Sequence, residues 1–173
     1  MNILIIDCET TGLNEKSDKC IEVAGLLYNV EHKKMLQCVS TFLPCIVNPV
    51  EHINNIKAEW TQCRMGIHSP IIFLRDMAKN ADCIMAHNAE FDYKFLKQAE
   101  GLDEEFWKKS WVCTKKDLKW PSNPTRLRLQ DICESVGIPY SNPHRALSDC
   151  SLLSKCLSKV DDLKERIEKI LKI

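Results

Sequence analysis

Three short acidic stretches lie far apart in this chain: Asp7-Cys8-Glu9-Thr10-Thr11-Gly12, His87-Asn88-Ala89-Glu90-Phe91-Asp92 and His144-Arg145-Ala146-Leu147-Ser148-Asp149. Each places a carboxylate at an element boundary, and the third adds a histidine five residues before its aspartate. Carboxylate oxygens are hard ligands that suit Mg²⁺ or Mn²⁺ rather than Zn²⁺. Two such ions about 4 Å apart can clamp the attacking and leaving oxygens of a phosphodiester. Gathered without a cation, the acids would repel one another and raise each other's pKa, so the set itself asks for metal.

Asp7 and Glu9 stand two apart, so on a continuing strand they share a face and can chelate one ion. Alone, such a pair also fits a solvated strand end. Thr10, Thr11 and Gly12 add hydroxyls, backbone N–H groups and a flexible turn that can approach a sugar or phosphate. Asn88 fits a helix N-cap, and His87 beside it carries no chemistry. Asp92 falls in the first helical turns, where an acid also complements the helix dipole, and Glu90 is expected to be exposed. His144 lies in a Pro143-led loop ahead of the helix bearing Asp149, within reach of a water it could deprotonate. Arg145 reads as an ordinary solvated side chain.

Five strand candidates must position these groups. Ile3 to Ile6 is a continuous apolar run that suits a central strand buried on both faces. Ile21–Val30 and Met35–Phe42 flank a polar turn as a hairpin, and Cys83–Ala86 and Trp111–Cys113 are shorter. Helical spacing covers Ile53–Met65, Pro70–Lys79, a stripe from Phe91 to Ala99 closed by Gly101, and Leu129–Val136 ending at Gly137. From Ala146 onward the apolar spacing continues to the end, as one or two amphipathic helices covering the core. Strands, then helices, then alternation of the two indicate an α/β fold with a mixed sheet.

With 173 residues, the chain reads as a single domain, 1–173, with a helical tail over about 158–173. Lysine and arginine number 24, as do aspartate and glutamate, so no net charge drives indiscriminate coating of nucleic acid. The charge is uneven: residues 108–128 hold seven cations against Asp117 alone, leaving +6 there and −6 elsewhere. That segment could track a strand beside the site, with Trp111 or Trp120 stacking on bases if exposed. Ten cysteines include no C-x-x-C pair, which removes the zinc signal and suits reduced, buried thiols. No signal peptide or membrane span is visible, so the expectation is a cytoplasmic protein.

Taken in order, the three motifs resemble those of the DEDDh-type 3′→5′ exonucleases of the ribonuclease H-like fold, the family of bacterial polymerase proofreading subunits and related trimming nucleases. The five-residue step from His144 to Asp149 distinguishes this group from relatives that use tyrosine. The likeness runs to about Lys155. It thins between Pro49 and Ile67, where family members place Ile-His-Gly-Ile and this chain reads Ile53-Asn54-Asn55-Ile56. The resemblance implies an α/β, ribonuclease H-like domain with a mixed five-stranded sheet flanked by helices. It implies two divalent cations, Mg²⁺ or Mn²⁺: Asp7, Glu9 and Asp149 hold the first, Asp7 bridges to the second, and Asp92 supports the second through water. His144 is then the base, and Thr10, Thr11, Leu13 and Phe91 meet the terminal nucleotide. The implied partner is a single-stranded 3′ end of DNA or RNA, with a DNA polymerase as a further one. Two rivals are a ribonuclease H-type endonuclease and a module that binds strand ends without cutting. The first leaves the threonines and the histidine spacing unexplained, and the second leaves a full set of acids unexplained.

Overall fold

Ile3 to Ile6 are completely buried because their strand, β1 (Asn2–Thr10), is the middle of a five-stranded sheet. The computed structural model describes residues 1–62, 68–141 and 144–173. β2 (Cys20–Asn29) and β3 (Lys34–Phe42) form the expected hairpin, and β4 (Cys83–Ala86) and β5 (Trp111–Cys113) complete the sheet in the order β3-β2-β1-β4-β5. β2 pairs antiparallel with both β1 and β3, whereas β4 runs parallel to β1 and to β5. The sheet is therefore mixed, and β1 is where the two halves meet.

Between the halves come two single turns, α1 (Glu51–Asn54) and α2 (Ala58–Thr61), then α3 (His68–Lys79). α4 (Ala89–Leu96) follows β4, α5 (Glu104–Lys108) precedes β5, and α6 (Leu129–Ser135), α7 (Ala146–Leu157) and α8 (Leu163–Leu171) close the chain. Strand alternation divides the core into two layers. Ile3 and Ile5 pack with Ile132 and Cys133 of α6, Leu153 and Cys156 of α7, and Ile167 of α8. Leu4, Ile6 and Cys8 face the opposite layer, with Ile71 and Leu74 of α3, Phe95 of α4 and Phe106 of α5.

Several boundaries differ from the sequence reading. The stretch from Ile53 breaks into α1 and α2, because Asn55 takes a left-handed conformation at φ 55° and ends the first turn. Residues 63–65 of that expected helix lie outside the described residues. α4 stops at Leu96, and the turn beyond it runs to Gly101 at φ 101°. α5 was not anticipated, although its signal is readable: the Asp103 side chain accepts from the Phe106 N–H at 2.9 Å, with Glu104 and Glu105 in the first turn. Eight of the nine described cysteines are buried free thiols, and Cys38 is exposed. Among the described residues no helix is long and apolar enough to cross a membrane.

Candidate active site

The alternation that buries Ile3 and Ile5 against α7 also turns Asp7 and Glu9 toward that helix, at the carboxyl end of β1. In open α/β sheets ligands bind outside the carboxyl ends of the strands. α7 presents Asp149 in its first turn, and His144 lies just ahead of it at φ 60°. One ligand atom from each of Glu9, His144 and Asp149 falls within 4.8 Å of the others. Asp92 arrives from the opposite layer on α4, and its Oδ1 accepts from the Cys8 N–H at 3.0 Å, between the two acids of β1. Asp7, Asp92, His144 and Asp149 line one cleft of about 570 Å³.

Burial is the leading influence on all four acids, and it disfavours their charged forms. It pushes Glu9 up to about 8, with Asp149 and Glu22 adding repulsion. Asp92 rises to about 7 even though backbone N–H groups, that of Cys8 among them, pull it back. Asp149 reaches about 6, moderated by the His144 N–H that its Oδ2 accepts at 3.3 Å. Asp7 stands well above the usual carboxylate range, through burial and then the neighbouring Asp92. Asp149 Oδ1 is buried without a hydrogen-bond partner among the described residues. Hard oxygen donors, an orphaned buried oxygen and acids that resist ionisation alone fit a divalent cation.

The expected nucleotide contacts are spread unevenly. Leu13, 85% exposed, and Phe91, packed on Phe95 at 4.6 Å, both line the cleft. Thr10 and Thr11 are buried, and their hydroxyls are engaged within their own loop. Thr10 Oγ1 donates to the Gly12 carbonyl, and Thr11 Oγ1 accepts from the Lys19 N–H at 2.9 Å. At Gly12 an added Cβ would meet the Asp18 carboxylate, which would have to move aside. Asn54 and Asn55 stand where the resemblance leads one to expect histidine and glycine. The Asn54 amide donates to the Thr10 carbonyl at 3.2 Å, which ties α1 to the first motif.

Asn88 occupies the N-cap position of α4, but its side chain makes no capping bond. His87 acts as a bracket: Nε2 contacts the Leu127 carbonyl at 2.8 Å and Nδ1 the Thr114 hydroxyl at 2.9 Å. Burial lowers its pKa, so the neutral ring donates through Nε2 and accepts through Nδ1. This holds the start of the Leu127–Gln130 rim against β4, and Lys115 and Arg128 reach the same cleft. Neither tryptophan of the basic segment is open for stacking. Trp120 is buried and donates to the Thr114 carbonyl at 3.0 Å, and Trp111 packs edge-on against Tyr93 and Phe106. Arg145 is not merely solvated either: its guanidinium meets Glu22 of β2 at 2.9 Å and 3.1 Å. Sequence reasoning passed over Glu22, though an acid inside the apolar run Ile21–Leu27 needs a buried partner.

A family model described as Exonuclease (RNase T) matches residues 4–157. A DNA polymerase III of PolC type from Thermotoga petrophila is 25% identical over 171 residues, covering 95% of this chain but only 12% of the relative's length. Escherichia coli exonuclease I, solved with a dT13 oligonucleotide, superposes with a TM-score of 0.76 at 16% identity over 99% of this chain and 43% of that one. The nuclease domain of 3′hExo, a DEDDh family member bound to rAMP, gives a TM-score of 0.73 at 17% identity over 91% and 90% of the two chains. The ribonuclease H-like fold and the span of the family match agree with the motif order, and the chain belongs to the exonuclease family that this model describes.

Proposed function

We propose that this chain is a metal-dependent 3′→5′ exonuclease that removes nucleoside 5′-monophosphates from a single-stranded 3′ end of DNA or RNA. The observation that carries this reading is the convergence of Glu9, His144 and Asp149 ligand atoms within 4.8 Å at the end of β1. Asp7, Glu9 and Asp149 would hold one cation, and Asp7 with Asp92 the second. Two divalent cations, Mg²⁺ or Mn²⁺, supply when bound the positive charge that stabilises the attacking and departing oxygens. His144 takes the proton of the attacking water, a role its exposed position at the cleft mouth allows. Leu13 and Phe91 flank the last base and hold the terminal phosphate over the acids.

The activity is read as that of one domain, 1–173, with its helical tail from about 158, in the cytoplasm. The PolC-type relative supports a DNA polymerase as a further partner in this reading. DNA and RNA are both kept, since the solved neighbours hold a DNA oligonucleotide in one case and rAMP in the other. The test is to incubate the protein with 5′-labelled and 3′-labelled strands of each, single and paired, with Mg²⁺ or chelator. A descending ladder from the 5′ label and immediate mononucleotide from the 3′ label support the reading. Internal cuts would favour the endonuclease, and a metal-dependent mobility shift with intact strands would favour the end-binding module.

A further inference from the structure

Glu9 and Glu22 lie directly opposite each other across β1 and β2, an arrangement in which like charges repel. Glu22 is nevertheless 2% exposed, and four donors satisfy it. Arg145 Nη2 and Ser40 Oγ reach Oε1 at 2.9 Å and 3.2 Å, and Arg145 Nε and the Ala146 N–H reach Oε2, both at 3.1 Å. With its oxygens occupied in this way, Glu22 is no open ligand. Three of its four bonds come from the two residues that follow His144, four and three positions before Asp149. α7 makes no N-cap bond with a side chain of its own, so Glu22 accepts from one of the helix's orphan donors and places an acid at its positive end.

His144 itself needs support, because φ 60° puts it in the left-handed region, which is uncommon for a residue with a side chain. The next residue is the one most firmly fixed. Arg145 is forked onto Glu22 and lies over the Phe42 ring at 5.4 Å, which ties the turn to both β2 and β3.

We propose that Glu22 and Arg145 are positioning residues, a clamp that sets His144 in register with Glu9. The proposal rests on the reading of His144 as the base. The test is a double-mutant cycle with Glu22→Gln and His144→Ala, measuring kcat and KM on a labelled single strand with saturating Mg²⁺. Glu22→Gln should lower kcat on the order of 10- to 100-fold with KM unchanged, the scale of a slightly misplaced reacting group. In the His144→Ala background the same change should cost less than about 2-fold, because the group it positions is already gone. Arg145→Lys, which keeps the charge but loses the fork, should fall between wild type and Glu22→Gln, and it replaces that variant in the cycle if Glu22→Gln does not melt cooperatively. Equal losses in both backgrounds, or a loss confined to KM, overturn the clamp alone. A fully active His144→Ala overturns the catalytic reading, and the clamp with it.

Discussion

Glu9 and Glu22 are the same residue type at facing positions of neighbouring strands, yet the protein treats them in opposite ways. Glu22 accepts from Arg145, Ala146 and Ser40 and is spent on holding the frame. Glu9 offers a ligand atom within 4.8 Å of one each from His144 and Asp149, and it is pushed up to about 8 by burial, with repulsion from Asp149 and Glu22 added. Asp149 divides the same way within one side chain, since Oδ2 takes the His144 N–H while buried Oδ1 takes nothing among the described residues. A buried acid supplied with donors stiffens a fold, whereas one left short of them is kept for a cation from outside.

The largest expected effect follows from removing the unsatisfied acids. Asp149→Asn and Asp7→Asn should each abolish cleavage in a contamination-controlled assay, because an amide leaves a bound cation undercompensated. The same variants should melt higher than wild type in chelator at pH 8, since each removes a repelling charge. Glu22→Ala should do the reverse to stability and lower it by about 1.5–3 kcal/mol in a denaturant titration, for loss of charged hydrogen bonds. If Glu22→Ala costs nothing while Asp149→Asn destabilises, the two kinds of acid have been assigned the wrong way round.

His144 comes next. His144→Ala should cost on the order of 10²- to 10⁴-fold in turnover, with metal affinity measured by calorimetry nearly intact. Its ring approaches Glu9 and Asp149 closely enough to share a cation with them. A variant that loses the metal would therefore make His144 a ligand and move it to the other side of the comparison.

The acids themselves were legible because periodicity fixes which way they point. Two residues apart on a strand means one face, and a carboxylate one turn into a helix means its open end. The sheet was legible for a related reason, since Ile3 to Ile6 can be buried on both faces only in the middle. What escaped was partner choice. Arg145 looked solvated because its partner Glu22 is 123 residues away and no local spacing joins them. Trp111 and Trp120 looked available because exposure depends on the layer a residue lands in, which periodicity over three residues of β5 cannot decide. The hydroxyls of Thr10 and Thr11 were equally ambiguous, since a loop that closes on itself uses the same groups that could meet a phosphate.

Acidity supplies a smaller and graded test. Burial pushes Asp149, Asp92 and Glu9 up to about 6, about 7 and about 8, above the roughly 4 of an unfolded carboxylate. The folded protein therefore holds these protons more tightly. Their contribution to stability is complete below about pH 4 and is lost as pH rises through 6 to 8. In chelator the melting temperature should fall over that range, and Mg²⁺ should restore more of it at pH 8 than at pH 5, with protons released on binding. A chelated protein that grows more stable from pH 5 to 8 would show that these acids are paired after all.

The smallest effect extends the comparison to the cations of the basic segment. Lys116 meets Glu90 at 3.1 Å and Arg128 meets Asp131 at 2.8 Å, so both have acidic partners close by. Lys115 is exposed, lines the cleft and has no ion pair among the described residues. A cation already matched by the protein gains less from a phosphate than one facing the strand unmatched. Single-strand affinity falls with salt at a slope of about −0.7 per phosphate neutralised, so one contact is measurable. Lys115→Ala should flatten the slope of log affinity against log salt by about 0.7, and Lys116→Ala by clearly less. Both should leave dinucleotide cleavage nearly unchanged, because a short substrate ends before it reaches the rim. Equal flattening by the two variants would show that the exposed Lys116–Glu90 pair does not hold its cation back, and that the division between committed and available groups stops at the acids.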